Sequence, residues 1–271
     1  MTDLKQLRSM IVDANGMLAL EAYKELYHLA ARAPGNTIVE IGTAHGAGTI
    51  ALCLGALSAN KTPEIFTVDR FEGRYSSRTA YGNAVDNLEI VRNNFRSAKI
   101  DQYVRVFAGS SADFATHQCP ERIDILMLDA DGRIDRDLIN FADHLSDEAA
   151  IVIDDYDNRA HFSSRADGSS YIDLKHVITK LLLDRYVAAN LIDVNKVCHA
   201  TAFCQKRPGT RWDKRQMADM ALEGYRELVF TDFDRSTVTE WLSQRAKNRI
   251  PPWLMRRLRD YRTARIKPVP L

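Results

Sequence analysis

Residues 37–49 read Thr-Ile-Val-Glu-Ile-Gly-Thr-Ala-His-Gly-Ala-Gly-Thr, and they decide the fold. The first five, Thr37-Ile-Val-Glu-Ile41, are rich in β-branched residues and follow the helix stop Pro34-Gly35, so they begin a strand. Glycines at 42, 46 and 48 then turn the chain into an apolar, helix-period segment near 47–59. A strand that passes through a glycine turn into a helix is the first half of a βαβ unit. Glycine also lets the backbone approach a ligand closely, and the helix start presents free N–H groups to an anionic group. A dinucleotide fingerprint would space its glycines as GxGxxG, which this turn does not. Glu40, which has no place in a pyrophosphate site, suits a ligand carrying an ammonium group.

Working outward, an amphipathic stretch at about 17–32 precedes the strand. Further short strands are expected at Ile65–Asp69, Tyr103–Phe107, Ile123–Asp129 and Ala150–Asp154, with helices near 83–98, 111–117 and 135–145 between them. This alternation predicts an α/β fold with a doubly wound, mostly parallel sheet. Near-continuous apolar runs such as Ile-Leu-Met-Leu fit strands covered on both faces. After a helix at about 171–186, Leu191–Val197 and Ala200–Gln205 read as an antiparallel pair at one sheet edge, giving seven strands. The polar stretch Asp157–Gly168 reads as a loop. The main domain is expected to span 1–207, and 208–271 to form a basic helical extension that holds all three Trp (Trp212, Trp241, Trp253).

Composition narrows the class. The chain has 271 residues, 37 Lys+Arg against 36 Asp+Glu, and 45% hydrophobic residues, which suits a globular protein and excludes disordered and collagen-like chains. Its four cysteines (Cys53, Cys119, Cys198, Cys204) lack CxxC or zinc spacing and read as reduced thiols of a cytoplasmic protein. The start, MTDLKQLRSM, lacks signal-peptide features, and no apolar run is long enough to span a membrane. Residues 208–271 carry 14 Lys+Arg against 8 Asp+Glu, a formal +6, which leaves about −5 on residues 1–207.

The segment Glu40-Ile-Gly-Thr-Ala-His-Gly resembles the first motif of class I S-adenosylmethionine-dependent methyltransferases. Asp69, ending the second strand, matches their ribose-binding acid, and Gly109-Ser110-Ser111 matches the turn near adenine. The resemblance covers about residues 17–207 and implies a Rossmann-like methyltransferase fold. It implies cofactor contacts from Glu40, Gly42, Thr43, Gly46 and Thr49 in the turn, Asp69 and Arg70 after the second strand, Ser110 and Ser111 after the third, and Asp129 after the fourth.

Leu128-Asp129-Ala-Asp131 and Ile153-Asp154-Asp155 resemble the metal-dependent branch, which includes catechol-type, caffeoyl-type and bacterial sugar O-methyltransferases. Neighbouring parallel strands lie roughly 4.8 Å apart, so carboxylates at their ends can share one hard cation. Asp129, Asp154 and Asp155 are therefore the metal-ligand candidates, with Mg²⁺ the expected ion, although the same acids could serve only to cap helices. An EF-hand is excluded because Gly132 falls at position four of a loop begun at Asp129. These relatives usually carry Lys or His three residues after the first metal Asp, where this chain has Gly132. Asp131 and His161 are then the nearest candidates for proton acceptor, and metal coordination alone could lower the hydroxyl pKa. Gly48 stands where relatives often place Ser or Thr, a hydroxyl that Thr49 could supply.

The expected function is Mg²⁺-dependent O-methylation of a small hydroxylated molecule, a sugar or phenolic group. Residues 245–267, with nine Lys+Arg and only Asp260 as an acid, leave open an RNA methyltransferase whose tail tracks phosphates. Trp253, Leu254, Leu258 and Tyr261 recur at helical spacing, which favours instead an arm docking on the body or on a second subunit of a homo-oligomer. A non-catalytic cofactor-binding module is the third reading.

Overall fold

Strand β1 (Thr37–Ile41) lies inside a seven-stranded sheet, paired in parallel with β2 (Glu64–Asp69) on one side and β4 (Ile123–Leu128) on the other. The computed structural model describes residues 4–72, 87–164, 170–230 and 234–235. With β3 (Val104–Ala108), β5 (Leu145–Ile153), β8 (Ile192–Cys198) and β9 (Thr201–Lys206), the strand order is β3-β2-β1-β4-β5-β9-β8. The first five strands in this order run parallel, and β9 and β8 add antiparallel at the edge. The winding direction reverses between β1 and β4, which opens a crevice at their carboxyl ends.

Both sheet faces are covered. Ile38, Ile65, Ile125 and Val152 pack beneath α1 (Leu4–Asp13), α2 (Leu20–Arg32), α3 (Ala47–Ser58) and α4 (Asn87–Ser97). Val39, Phe66, Leu126 and Ile151 project the other way, toward α5 (Ser111–His117), α6 (Ile134–Phe141), α7 (Lys175–Ala188) and α8 (Lys214–Phe230). Burial on both faces explains why these strands read as unbroken apolar runs.

Three boundaries differ from the sequence reading. The helix expected to reach 145 ends at Phe141, because Leu145 already begins β5. The helix expected from 171 begins at Lys175, where the Asp173 carboxylate accepts its backbone N–H at 3.0 Å and acts as a cap. The residues before that cap form β7 (Ser170–Asp173), which pairs antiparallel with β6 (Arg159–Ser164), so part of the expected polar loop is strand. Pairing, not local propensity, makes these polar residues extended. β10 (Asp234–Arg235) adds in parallel to β6.

Residues 212–230 dock on the body. Trp212, Met217 and Ala221 are buried in one core with Leu138, Leu182 and Tyr186. The Tyr225 hydroxyl donates to Asp135 at 2.9 Å, and Arg185 pairs with Glu223 and Glu227. Trp241, Trp253, the capping-box spacing at 237–240 and the basic stretch 245–267 lie outside the described residues. No described helix is long and apolar enough to cross a membrane.

Candidate active site

Glu40 sits on β1 with its carboxylate sealed under the start of α3. One oxygen accepts the hydroxyls of Thr49 and, at 2.8 Å, Thr67; the Thr67 hydroxyl is in turn bonded to Thr43. Burial raises the Glu40 pKa to about 7, even though the two threonine hydroxyls favour its charged form. Gly48 makes this placement possible, because a Cβ there would overlap the other carboxylate oxygen. Gly42, at φ +96°, likewise leaves no room for a Cβ against the Asp129 backbone carbonyl. The turn is thus shaped so that backbone, not side chain, faces the crevice.

A cavity of ≈ 610 Å³ fills that crevice, running from Asp69 and Ser110 past Gly42 to Asp129 and Lys175. This lies within the usual range for small-molecule sites. Asp69 is fixed by backbone: its two oxygens accept the N–H groups of Ala44 at 3.0 Å and Phe71 at 2.9 Å. A small second pocket adjoins Glu40 and is closed by the segment around Met17 and Leu18, whose N–H groups donate to the Tyr23 hydroxyl at 2.9 and 3.2 Å.

At the other end of the cavity three carboxylates converge. Asp129 follows β4, Asp154 and Asp155 follow β5, and each offers an oxygen within 4.8 Å of the others. Successive strand residues normally face opposite ways. Asp155 escapes that rule by adopting φ +61°, a conformation uncommon outside glycine and concentrated at functional sites. Burial and the neighbouring Asp154 push the Asp129 pKa well up, and burial with Asp155 pushes Asp154 up. Burial acts on Asp155 in the same direction, but the His176 hydrogen bond at 2.9 Å and the Lys175 ammonium hold its carboxyl low.

A family profile described as "Methyltransferase domain" matches residues 39–156, the span from β1 to just past Asp155. Over those residues the chain is similar to methyltransferase domains. Solved structures share the fold of this chain. The Bacillus cereus O-methyltransferase in complex with SAH is 17% identical (TM-score 0.55, covering 75% of this chain and 90% of that one). TomG, the Streptomyces achromogenes O-methyltransferase of tomaymycin synthesis, solved with SAM, is 13% identical (TM-score 0.51, 75% and 89%). The SAH-bound Podospora anserina methyltransferase PaMTH1 is 18% identical (TM-score 0.51, 76% and 86%). No curated protein matches the chain in sequence.

The crevice gathers Gly42, Asp69, Arg70, Ser110, Ser111 and Asp129 of the residues expected to contact the cofactor. Thr43 and Thr49 stand behind the turn, and Gly46 caps α3 in the left-handed region at φ +88°. The Thr49 hydroxyl is committed to Glu40. Ser110 caps α5 through the Asp113 N–H at 3.1 Å, while the Ser111 hydroxyl donates to Asp137 at 2.6 Å, so the cavity meets their backbone edge. Of the two proton-acceptor candidates, Asp131 is clamped by both terminal nitrogens of Arg136 at 3.0 and 3.1 Å. Although burial opposes its charge, that guanidinium keeps its carboxyl low and makes it a poor base. His161 lies in β6 in register with Asp173, and its side chain lies outside the described residues. His45, within the turn, is buried and bonds Asn15 through Nδ1 at 3.1 Å. Sequence reasoning missed Lys175, Arg136 and Thr67. Their one sequence signal is position, since Lys175 opens the helix that follows the acids of β5.

Proposed function

We propose that the protein transfers a methyl group from S-adenosylmethionine to a hydroxyl of a small molecule bound at the Asp129 end of the cavity. The observation that carries this is continuity: one cavity joins Asp69 and the glycine turn to Asp129 and Lys175, which belong to the polar cluster beyond the ends of β4 and β5. The residues fit the methyl donor. Gly42 and Asp69 line the cavity, the glycine without a side chain and the aspartate with a carboxylate for ribose hydroxyls, and Glu40 offers a buried carboxylate to an ammonium group. When bound, the donor supplies a methyl on a positively charged sulfur; the C–S bond breaks with its pair kept by sulfur as the acceptor oxygen forms the C–O bond. The chain's part is to hold the hydroxyl in line, exclude water and receive the hydroxyl proton within the carboxylate cluster. Asp69, on the cavity wall, adds an acidic group that favours a cationic donor.

The Mg²⁺ expected from the sequence meets a divided donor set. Three carboxylates converge as a hard cation requires, but both Asp155 oxygens are engaged by Lys175 and His176, and one Asp154 oxygen accepts the Thr201 hydroxyl at 2.6 Å. As the side chains stand, they do not fit a six-coordinate ion. The apolar setting of Cys53, Cys119 and Cys204 pushes their thiols up to about 12, 11 and 12, which suits inert cysteines of a reducing, cytoplasmic setting.

Incubating the full-length protein with isotopically labelled S-adenosylmethionine and small-molecule extracts rich in sugars and phenols, followed by mass spectrometry, tests the reading. Label on an oxygen of a small molecule is the expected result. Label confined to RNA, or cofactor binding with no transfer, would replace it with one of the other two functions.

A further inference from the structure

The floor of the cavity already holds a cation. Lys175, the first residue of α7, sends its side chain across the β4–α6 connection so that its ammonium pairs with Asp155, with Asp129 and Asp154 close enough to act on it electrostatically. His176, the next residue, donates to the second Asp155 oxygen at 2.9 Å when protonated. The backbone is shaped for this arrangement on three sides. Asp173 caps α7 through the Lys175 N–H, Asp155 takes the left-handed conformation that brings its carboxylate round to the ammonium, and Gly132 lies under the lysine stem. A Cβ at Gly132 would stand 2.8 Å from Lys175 Cγ and 3.2 Å from its carbonyl oxygen, so a larger residue would push the lysine out of the cluster.

We infer that Lys175 is the resident cation of the Asp129/Asp154/Asp155 cluster, occupying the position of a divalent metal ion, and that the protein does not require one. The ammonium pairs with Asp155 beside Asp129 and Asp154, and it is covalently held, so no binding entropy is lost each time the site forms. A divalent ion entering the same cluster would lie beside the ammonium. That like-charge contact is strongly unfavourable among buried groups. Lys175 lines this floor of the cavity beside Asp129. The inference rests on the proposed function only in calling this floor the acceptor side.

The test is titration of Mn²⁺ into exhaustively chelated, full-length protein, read by calorimetry and by melting temperature. Wild type should show no stoichiometric uptake at about 0.1 mM Mn²⁺ and no change in melting on adding a chelator. Lys175→Met, which keeps the stem and removes the charge, should bind Mn²⁺ at least about tenfold more tightly than wild type and gain melting temperature from it. Lys175→Arg should remain refractory. One-to-one uptake by wild type, or a Lys175→Met protein that binds no better, overturns the inference. If Lys175→Met does not fold, the wild-type titration decides alone. S-adenosylmethionine titrated into the same wild-type sample reports separately on the proposed function, because silence there would reject that reading and leave the cation result standing.

Discussion

Glu40→Gln separates what the buried carboxylate does for the ligand from what it does to the fold. Burial lifts its pKa from 4.5 to about 7, so the folded chain holds a proton there that the unfolded chain releases. Stability should therefore fall as pH rises from about 4.5 to 7, and the loss is complete above that window. The shift corresponds to at most ~3 kcal/mol, which the neutral isostere should return at about pH 8. Ligand binding carries the opposite sign. An α-amino group stays protonated below about pH 7 and pairs with Glu40 only when the carboxylate is charged. With a pKa of about 7, the charged fraction rises from about 3% at about pH 5.5 to one half at about pH 7, so S-adenosylmethionine should bind about 15-fold more tightly at the upper pH. Asp129, also shifted upward, adds its own slope, and the variant removes only the Glu40 part. Calorimetry across this range and denaturant melts on both proteins would measure the two effects. A wild-type affinity flat with pH, or an identical slope in Glu40→Gln, would refute the assignment of Glu40 to the ammonium group.

Three further outcomes follow from the geometry. Asp69→Ala should weaken S-adenosylmethionine binding by about 1.5–3 kcal/mol through loss of charge-assisted hydrogen bonds, measured by calorimetry on protein shown to be folded. Gly48→Ser drives a Cβ into the Glu40 carboxylate, so it should cost about tenfold or more in cofactor affinity together with about 1–3 kcal/mol of stability, read by titration and by urea melts. Truncation after Arg207 strips Trp212, Met217 and Ala221 from the core beside α6 and α7, and at about 1.5–3 kcal/mol per large side chain it should lower unfolding stability by about 3–6 kcal/mol. A truncated protein with an unchanged urea midpoint would show that α8 adds nothing to that core.

The parts of the fold legible in the sequence are those where local chemistry and tertiary role agree. β1, β2 and β4 are almost wholly buried, as is the second half of β5, so their apolar runs stand out, and Pro34-Gly35 marks the entry to β1. β6 was illegible because nothing in Arg-Ala-His-Phe-Ser-Ser favours a strand by itself; its extension comes from hydrogen bonds to β7 and β10. The start of α7 was misplaced for a related reason. Tyr171 and Ile172 look like a helix face, yet Asp173 is the residue whose side chain can hold the first free N–H. The role of α8 depended on knowing that Trp212 and Met217 meet Tyr186 across a gap of some thirty residues, which periodicity does not encode.

At the site, the sequence marks positions on strand ends and is silent about what arrives from elsewhere. Glu40, Asp69, Asp129, Asp154 and Asp155 all follow or end parallel strands, so their convergence on one crevice follows from topology once the strands are known. Lys175 belongs to a helix that begins twenty residues after Asp155, beyond the β6–β7 hairpin, and no spacing rule connects the two. Gly132 is the trace it leaves. In sequence that glycine reads as a missing lysine or histidine. In the fold it is the space beside which the Lys175 stem passes on its way to Asp155. A Gly132→Ala substitution, strained at φ +75° and crowded against the Lys175 stem, should therefore act like removal of the ammonium. Its expected effect is easier Mn²⁺ uptake with the cofactor affinity preserved, and loss of cofactor binding instead would mean that Gly132 serves the turn and not the lysine.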